Sequence, residues 1–336
     1  MSTATVSRVL NGLPTVDPAR AARVRAATLQ LDYRFNGVAR NLRRQRTDVW
    51  ALIISDINNP FFTAVARGVE DVAQRAGFSI ILCNSDEDSD KEARYLDVAE
   101  REQVAGVIIS PNLFGSDISR LRAAGIPVVA IDRPLREPVD SVLVHSMDGA
   151  RAATLHLLDE GWTRPACITG PARAETAEQR LAGYLAAFAE RRRRPAQSLI
   201  RHADFRADTA RAAAASLLDG RNPPDSFFVA NSLMALGALE EFTHRGLVPG
   251  TDVGLVAFDD TPWAPFVNPP MSVVAQPTYD IGARAGELLL QRISGELGST
   301  EPRTLVLSTE LIVRASSRRA SPPPATRSRR PAHLPR

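Results

Sequence analysis

Short apolar runs alternate with stretches of helical periodicity from Trp50 onward, and the whole alternation occurs twice. The first set is WALIIS (50–55), SIILCN (79–84), AGVIIS (105–110) and VVAID (128–132), with helical stretches such as 61–76 and 91–102 between them. After about Ser146 it starts again with ACIT (166–169), SLIRH (198–202), SFFVAN (226–231), VGLVAF (253–258) and SVVAQ (272–276). Near-continuous apolar strands separated by helices predict parallel sheets covered on both faces, because each parallel connection needs a crossover that lies against the sheet. Two such sets predict an α/β fold of two doubly wound lobes with a cleft between them.

A chain of 336 residues has room for two substantial domains or three smaller units. Its 44% hydrophobic and 24% charged residues are those of a globular protein. No apolar run is long enough for a membrane span, and the start MSTATVSR has no secretory signal character. Cys83 and Cys167 each sit inside an apolar run, which predicts buried, reduced thiols and a cytoplasmic protein. Charge is unevenly spread. Residues 1–46 carry +7, the tail from Ala315 carries +6, and the body between them carries −10. A basic head on an acidic body points to nucleic acid as a partner, although a solvated basic terminus would look the same by charge alone.

The first 46 residues read as short helices. Ser2 is a good N-cap for a helix through Val6, Val9 and Leu10 that ends at Asn11-Gly12. Asp17-Pro18 opens a second helix over 19–31, with Val24, Ala27 and Leu31 on its apolar face. Asn36 caps a last short helix over 37–42, before the basic stretch 43–46. The segment STATVSRVLNG (2–12) is the most specific motif of the chain. At the start of a recognition helix, Thr3 and Ala4 offer hydroxyl or methyl contacts to bases. Arg8 offers a planar donor fork to guanine or phosphate, and Thr5 and Ser7 offer donors to phosphate.

STATVSRVLNG followed by VDPARAARVRAATLQLDYRFNGVARNL closely resembles the DNA-binding head of the LacI/GalR (lactose-repressor/galactose-repressor) family of regulators, and the resemblance runs to about residue 314. It implies that Ser2, Thr3, Ala4, Thr5, Ser7 and Arg8 contact DNA. It also implies that the hinge helix beginning at Asn36 lies in the minor groove, with Leu42 as the wedge flanked by Arg40, Asn41 and Arg43. Phe35 and Gly37 depart from the proline and alanine common there. The family's first helix lies about fifteen residues upstream of Ser2, and Met1 stands where valine is common. The expectation is therefore a native start further upstream, since GTG encodes either residue.

In the body, Asn59-Pro60-Phe61-Phe62 follows the first strand. Adjacent rings beside an amide suit a sugar, with C–H faces on the rings and hydroxyls on the amide, yet both rings could equally be core. Asp132-Arg133, Phe205, Asn231, Asp259 and Gln276 fall at strand ends, where doubly wound sheets place ligands, and Arg180 lies in a helix of the second set. Each alone could be a cap or turn residue; their joint placement makes the cleft. By the resemblance, the body is periplasmic-binding-protein-like. The ten residues Asn59, Phe61, Phe62, Asp132, Arg133, Arg180, Phe205, Asn231, Asp259 and Gln276 then match positions that contact the sugar in ribose-type binders. Ser232 replaces the acid usual after this asparagine, and Trp263 is read as packing.

The expected organisation is a partial helix-turn-helix head over 1–35, a hinge helix and linker over 36–47, and an effector-binding and dimerisation domain over 48–316. Lobe one is expected over about 48–146 and 277–303, lobe two over about 147–276 and 304–316, and a disordered basic tail over 317–336. The expected protein is a homodimeric repressor that binds a pseudo-palindromic double-stranded operator under control of a small sugar, with a pentose favoured by the full residue set. A sugar-binding protein without DNA-binding activity is the alternative. No cofactor, metal, membrane or enzymatic role is expected: the five histidines lack metal spacing, and no Walker or GxGxxG loop occurs.

Overall fold

The computed structural model describes residues 2–10, 15–31, 47–113, 115–298 and 301–319. The chain divides into two compact units, Met1–Asp48 and Val49–Arg336. In the small unit, α1 (Thr3–Leu10) and α2 (Pro18–Gln30) follow the cap signals. The Asp17 carboxylate accepts from Arg20 N at 3.1 Å, with proline at the first helical position. Val9 and Val24 are buried, whereas Ala27 and Leu31 of the expected apolar face are exposed. Residues 32–46, and with them the expected hinge helix, lie outside the described residues.

The large unit contains two six-stranded sheets. The first is ordered β11-β5-β4-β3-β1-β2 and is parallel throughout. Its strands are β1 (Val49–Ile54), β2 (Ser79–Asn84), β3 (Gly106–Ile109), β4 (Val128–Ile131), β5 (Asp140–Val144) and β11 (Thr304–Leu307). Helices α3 (Pro60–Arg75), α4 (Ser89–Arg101) and α5 (Ser119–Ala123) connect the first four. The second sheet is ordered β12-β10-β9-β8-β6-β7, from β6 (Pro165–Thr169), β7 (Ile200–His202), β8 (Ser226–Val229), β9 (Gly254–Phe258), β10 (Ser272–Ala275) and β12 (Glu310–Ile312), with only β12 antiparallel to its neighbour. Helices α6 (Ser146–Asp159), α7 (Glu175–Glu190), α8 (Ala207–Leu218) and α9 (Ser232–His244) belong to it, and α10 (Thr278–Ser294) returns to the first lobe.

Period-two alternation explains why both faces are covered. In β1, Trp50, Leu52 and Ile54 face α3 and α10, while Ala51 and Ile53 join the cluster with Leu96 and Ala99 of α4. Each large side chain so buried contributes about 1.5–3 kcal/mol relative to exposure. In lobe two, Phe227 and Val229 face α8 and α9, whereas Phe228 faces α6 and α7. Both cysteines are buried and free, and Trp263 packs against the lobe-two core.

Three expectations need correction. Residues 304–307 belong to lobe one, because β11 pairs with β5 from Thr304↔Ser141 to Leu307↔Val144. The chain therefore crosses between lobes after Val144, after Ala275 and after Leu307. Second, SIILCN is an edge strand only partly covered on each face, with the adjacent Ile81 and Leu82 both exposed. Third, the ordered body continues to residue 319: the Ser317 hydroxyl bonds Ser272 Oγ at 2.6 Å and His156 Nε2 at 2.7 Å, and its carbonyl accepts from Trp162 Nε1. Ser317 is fully buried, so a disordered tail does not begin there. Residues 320–336 lie outside the described residues.

Candidate functional site: a cleft between two lobes

The carboxyl ends of the strands in both sheets converge on one cleft that is open at its mouth. All ten ligand residues named from the sequence line it. Lobe one supplies Asn59, Phe61 and Phe62 after β1 and Asp132 and Arg133 after β4. Lobe two supplies Arg180 from α7, Phe205 after β7, Asn231 after β8, Asp259 after β9 and Gln276 after β10.

Local structure fixes each of them. Asn59 caps α3, its Oδ1 accepting from Phe61 N at 3.0 Å. Phe61 and Phe62 meet edge to face at 4.9 Å and are both core and lining, which resolves the choice left open by the sequence. Asn231 caps α9 through Met234 N at 2.8 Å, and its Nδ2 donates to the Phe205 carbonyl at 3.2 Å. It therefore holds the loop that presents Phe205. Gln276 Nε2 donates to Asp259 Oδ1, while Gln276 Oε1 is buried without a hydrogen-bond partner.

The electrostatic centre is a buried row of Asp132, Arg180 and Asp259. Burial pushes both carboxyls above the ordinary carboxylate range, opposed at Asp132 by Arg133 and Arg180 and at Asp259 by Arg180 and Gln276. Arg180 lies 3.8 Å over the Phe258 ring and donates from Nη1 to the Ala230 carbonyl at 2.5 Å; its Nε has no hydrogen-bond partner. Arg133, from lobe one, stands 5.7 Å from the centroid of Phe205 in lobe two, so the two walls face each other at close range.

Five charged lining residues were missed: Asp56, Asp86, Glu87, Asp204 and Arg206. Glu87 grips Arg133 with both carboxylate oxygens, one bond being Nη1–Oε2 at 3.0 Å and the other Nη2–Oε1. Asp86 bonds Lys91 at 2.5 Å, and this bond first, with Asn84 and Arg206 adding to it, holds its carboxyl below the usual range. Lys91 is the only lysine of the sequence. Asp86 and Glu87 follow SIILCN as Asp56 follows WALIIS, so the strand-end rule that found Asp132 was a usable signal for them.

In the small unit, Thr3, Ala4, Thr5, Ser7 and Arg8 lie on α1 with Ser2 at its start. The Ser2 hydroxyl bonds Thr5 Oγ1 at 3.0 Å, and Arg8 is exposed. Asn36, Arg40, Asn41, Leu42 and Arg43 lie outside the described residues.

Two doubly wound lobes joined by three crossings around a polar, aromatic-walled cleft define a periplasmic-binding-protein-like ligand domain, and the family description "Periplasmic binding protein-like domain" matches residues 154–317. The chain is 34% identical to the ribose operon repressor of Halalkalibacterium halodurans over 318 residues, 95% of this chain and 94% of that one. The transcriptional regulator CelR in complex with cellobiose superposes with a TM-score of 0.73 at 34% identity, over 94% of this chain and 96% of that one. A LacI transcriptional regulator of Alkaliphilus metalliredigens complexed with D-xylulofuranose gives 0.71 at 25% identity, over 80% and 99%. The chain belongs to the LacI/GalR family of DNA-binding transcriptional regulators.

Proposed function

We propose that this regulator is a repressor whose operator affinity is set by a small sugar bound between the lobes, with a pentose as the first candidate. One observation carries the sugar reading: Arg133 Nε, Arg180 Nε and Gln276 Oε1 are all buried in the cleft without hydrogen-bond partners, between phenylalanine walls. Each such group costs about 1–3 kcal/mol when left unpaired. A polyhydroxyl ring supplies donors and acceptors together and puts its C–H faces on Phe61, Phe62 and Phe205. Relatives whose names include ribose, cellobiose and D-xylulofuranose support a carbohydrate.

Such a ligand bonds both lobes and therefore favours the closed arrangement. Only that differential affinity between open and closed states can alter DNA binding. Exposed apolar side chains on both lobes, Ile81 and Leu82 in one and Phe266 in the other, suit a two-fold homodimer, which in turn reads a pseudo-palindromic site. Ser2, Thr3, Ala4, Thr5, Ser7 and Arg8 are the proposed base and phosphate contacts of α1, and the ten cleft residues the proposed effector contacts. No helix among the described residues is long and apolar enough to cross a membrane; action on the chromosome places the protein in the cytoplasm.

A thermal-shift screen of pentoses, hexoses and disaccharides tests the effector, since binding raises apparent stability by mass action. At least one sugar should raise Tm, and Arg180→Ala should erase that response while circular dichroism stays native. A flat response to all sugars refutes the assignment. Gel shifts with the protein's own promoter region, with and without the sugar that raises Tm, test the coupling.

A further inference from the structure

We propose that the cleft selects an unphosphorylated ligand, and that Glu87 sets this selectivity by occupying the guanidinium fork of Arg133 that a phosphate would otherwise take. The inference rests on the sugar reading above and narrows it. Phosphate recognition needs unspent donors: a free guanidinium fork, an ammonium, or an uncapped helix N-terminus. In this cleft the Arg133 fork, the ammonium and the helix ends are already used or opposed. The donors left over, Arg133 Nε and Arg180 Nε, stand beside the carboxyls of Asp132 and Asp259, which suit a neutral hydroxyl and oppose a phosphate.

Arg133 spends both Nη atoms on Glu87 and gives a further bond from Nη1 to the Pro111 carbonyl at 3.0 Å. Its Nε lies 3.3 Å from Asp132 Oδ2. Arg180 is engaged by the Ala230 carbonyl and lies between two carboxyls. Arg206, exposed at the rim, faces Asp86, and Lys91 is bonded to the same carboxylate. Helix α3 is capped by Asn59 and α9 by Asn231, and Asp259 accepts from the Ser232 amide. The first turns of α7 and α8 carry Glu175, Glu178 and Asp208, which repel an anion.

The lining charge agrees. Six carboxyls, of Asp56, Asp86, Glu87, Asp132, Asp204 and Asp259, face three guanidiniums, those of Arg133, Arg180 and Arg206, for a formal balance of −3. With the two buried carboxyls, Asp132 and Asp259, both protonated, the balance is still −1. Glu87 is the residue whose loss frees a fork: its side chain is partly exposed (22%), whereas that of Arg133 is buried (7%).

Calorimetric titration of the full chain with matched pairs tests this. The pairs are D-ribose with D-ribose 5-phosphate and D-glucose with D-glucose 6-phosphate, with inorganic phosphate as a separate probe. For any pair that binds, the free sugar should be tighter than its phosphate ester by about tenfold or more, and inorganic phosphate should give no heat. Glu87→Ala should shift the ester-to-sugar affinity ratio toward the ester by about tenfold, and Glu87→Gln by less. A merely structural role would weaken both members of a pair together and leave the ratio unchanged, which overturns the role of Glu87. An ester binding the wild type as tightly as its sugar, or tighter, overturns the proposal while leaving the sugar reading intact. Binding by no member of any pair removes the sugar reading and this inference with it.

Discussion

Of the seven non-glycine residues with left-handed backbone among the described residues, five line the cleft: Asp86, Glu87, Asp132, Phe205 and Asp259. Each such conformation costs on the order of 1–3 kcal/mol and persists only where its surroundings fix it. Here the surroundings are visible: Glu87 is pinned by Arg133, Phe205 by Asn231, and Asp259 by Gln276. Behind them lies Glu92, buried and accepting from Asn112 N at 2.9 Å and Nδ2 at 2.7 Å, with its pKa raised by burial from the ordinary 4.5. A raised folded-state pKa gives stability that is fully present below the unfolded value and is lost as pH rises through the folded one. The melting temperature of Glu92→Gln should therefore gain on that of the wild type as pH rises from about 4.5. A difference that does not change with pH would show that the Glu92 carboxyl titrates alike in the folded and unfolded chain, and so that burial does not raise it. At this scale the sequence was informative about single polar residues at strand ends. It was silent on Glu87 and Arg133, 46 positions apart, because their pairing exists only after β2 and β4 have folded into one sheet.

Among elements, the helix pairs are set by close approach at glycine. A Cβ on Gly282 would stand 2.0 Å from the Val65 carbonyl oxygen, and one on Gly68 2.1 Å from that of Tyr279, so α3 and α10 touch backbone to backbone. Both contacts are with main chain, which cannot swing aside. Gly282→Ala should lower stability by about 1–3 kcal/mol in chemical denaturation, with the m-value unchanged. A neutral result would mean that the two helices can separate without cost. The nine strands with apolar runs were legible from the order of those runs along the chain. The other three were not, for identifiable reasons. β5 opens with Asp140 and Ser141, buried polar residues whose burial is made tolerable by Arg292, 2.6 Å from Asp140. β11 is an edge strand with alternating exposure, and β12 has only three residues. The assignment of 304–307 to the wrong lobe has the same origin: which sheet a short edge strand joins is a long-range property that local pattern does not encode.

For the whole molecule, the contrast between a +7 segment over 1–46 and a −10 body makes DNA affinity a balance of attraction and repulsion. If a dimer neutralises about six phosphates, log K should fall against log salt with a slope of roughly −5. A slope near zero in a filter-binding titration would remove the proposed α1 contacts with phosphate. The two-lobed plan was legible because it is written twice in the chain, whereas the closure that brings Arg133 to 5.7 Å from Phe205 depends on the angle between lobes, which no local pattern records. Lys91, the single lysine, sits at the rim of that closure and is bonded to Asp86, which also faces Arg206 of the other lobe. Apart from the chain's own amino terminus, an amine-reactive dye has one address on this protein. The salt bridge holds the Lys91 ammonium protonated above its ordinary value, slowing acylation. The rate at which a fluorophore attaches there is thus a report on how firmly Asp86 is held at the cleft, readable by peptide mass without altering a residue.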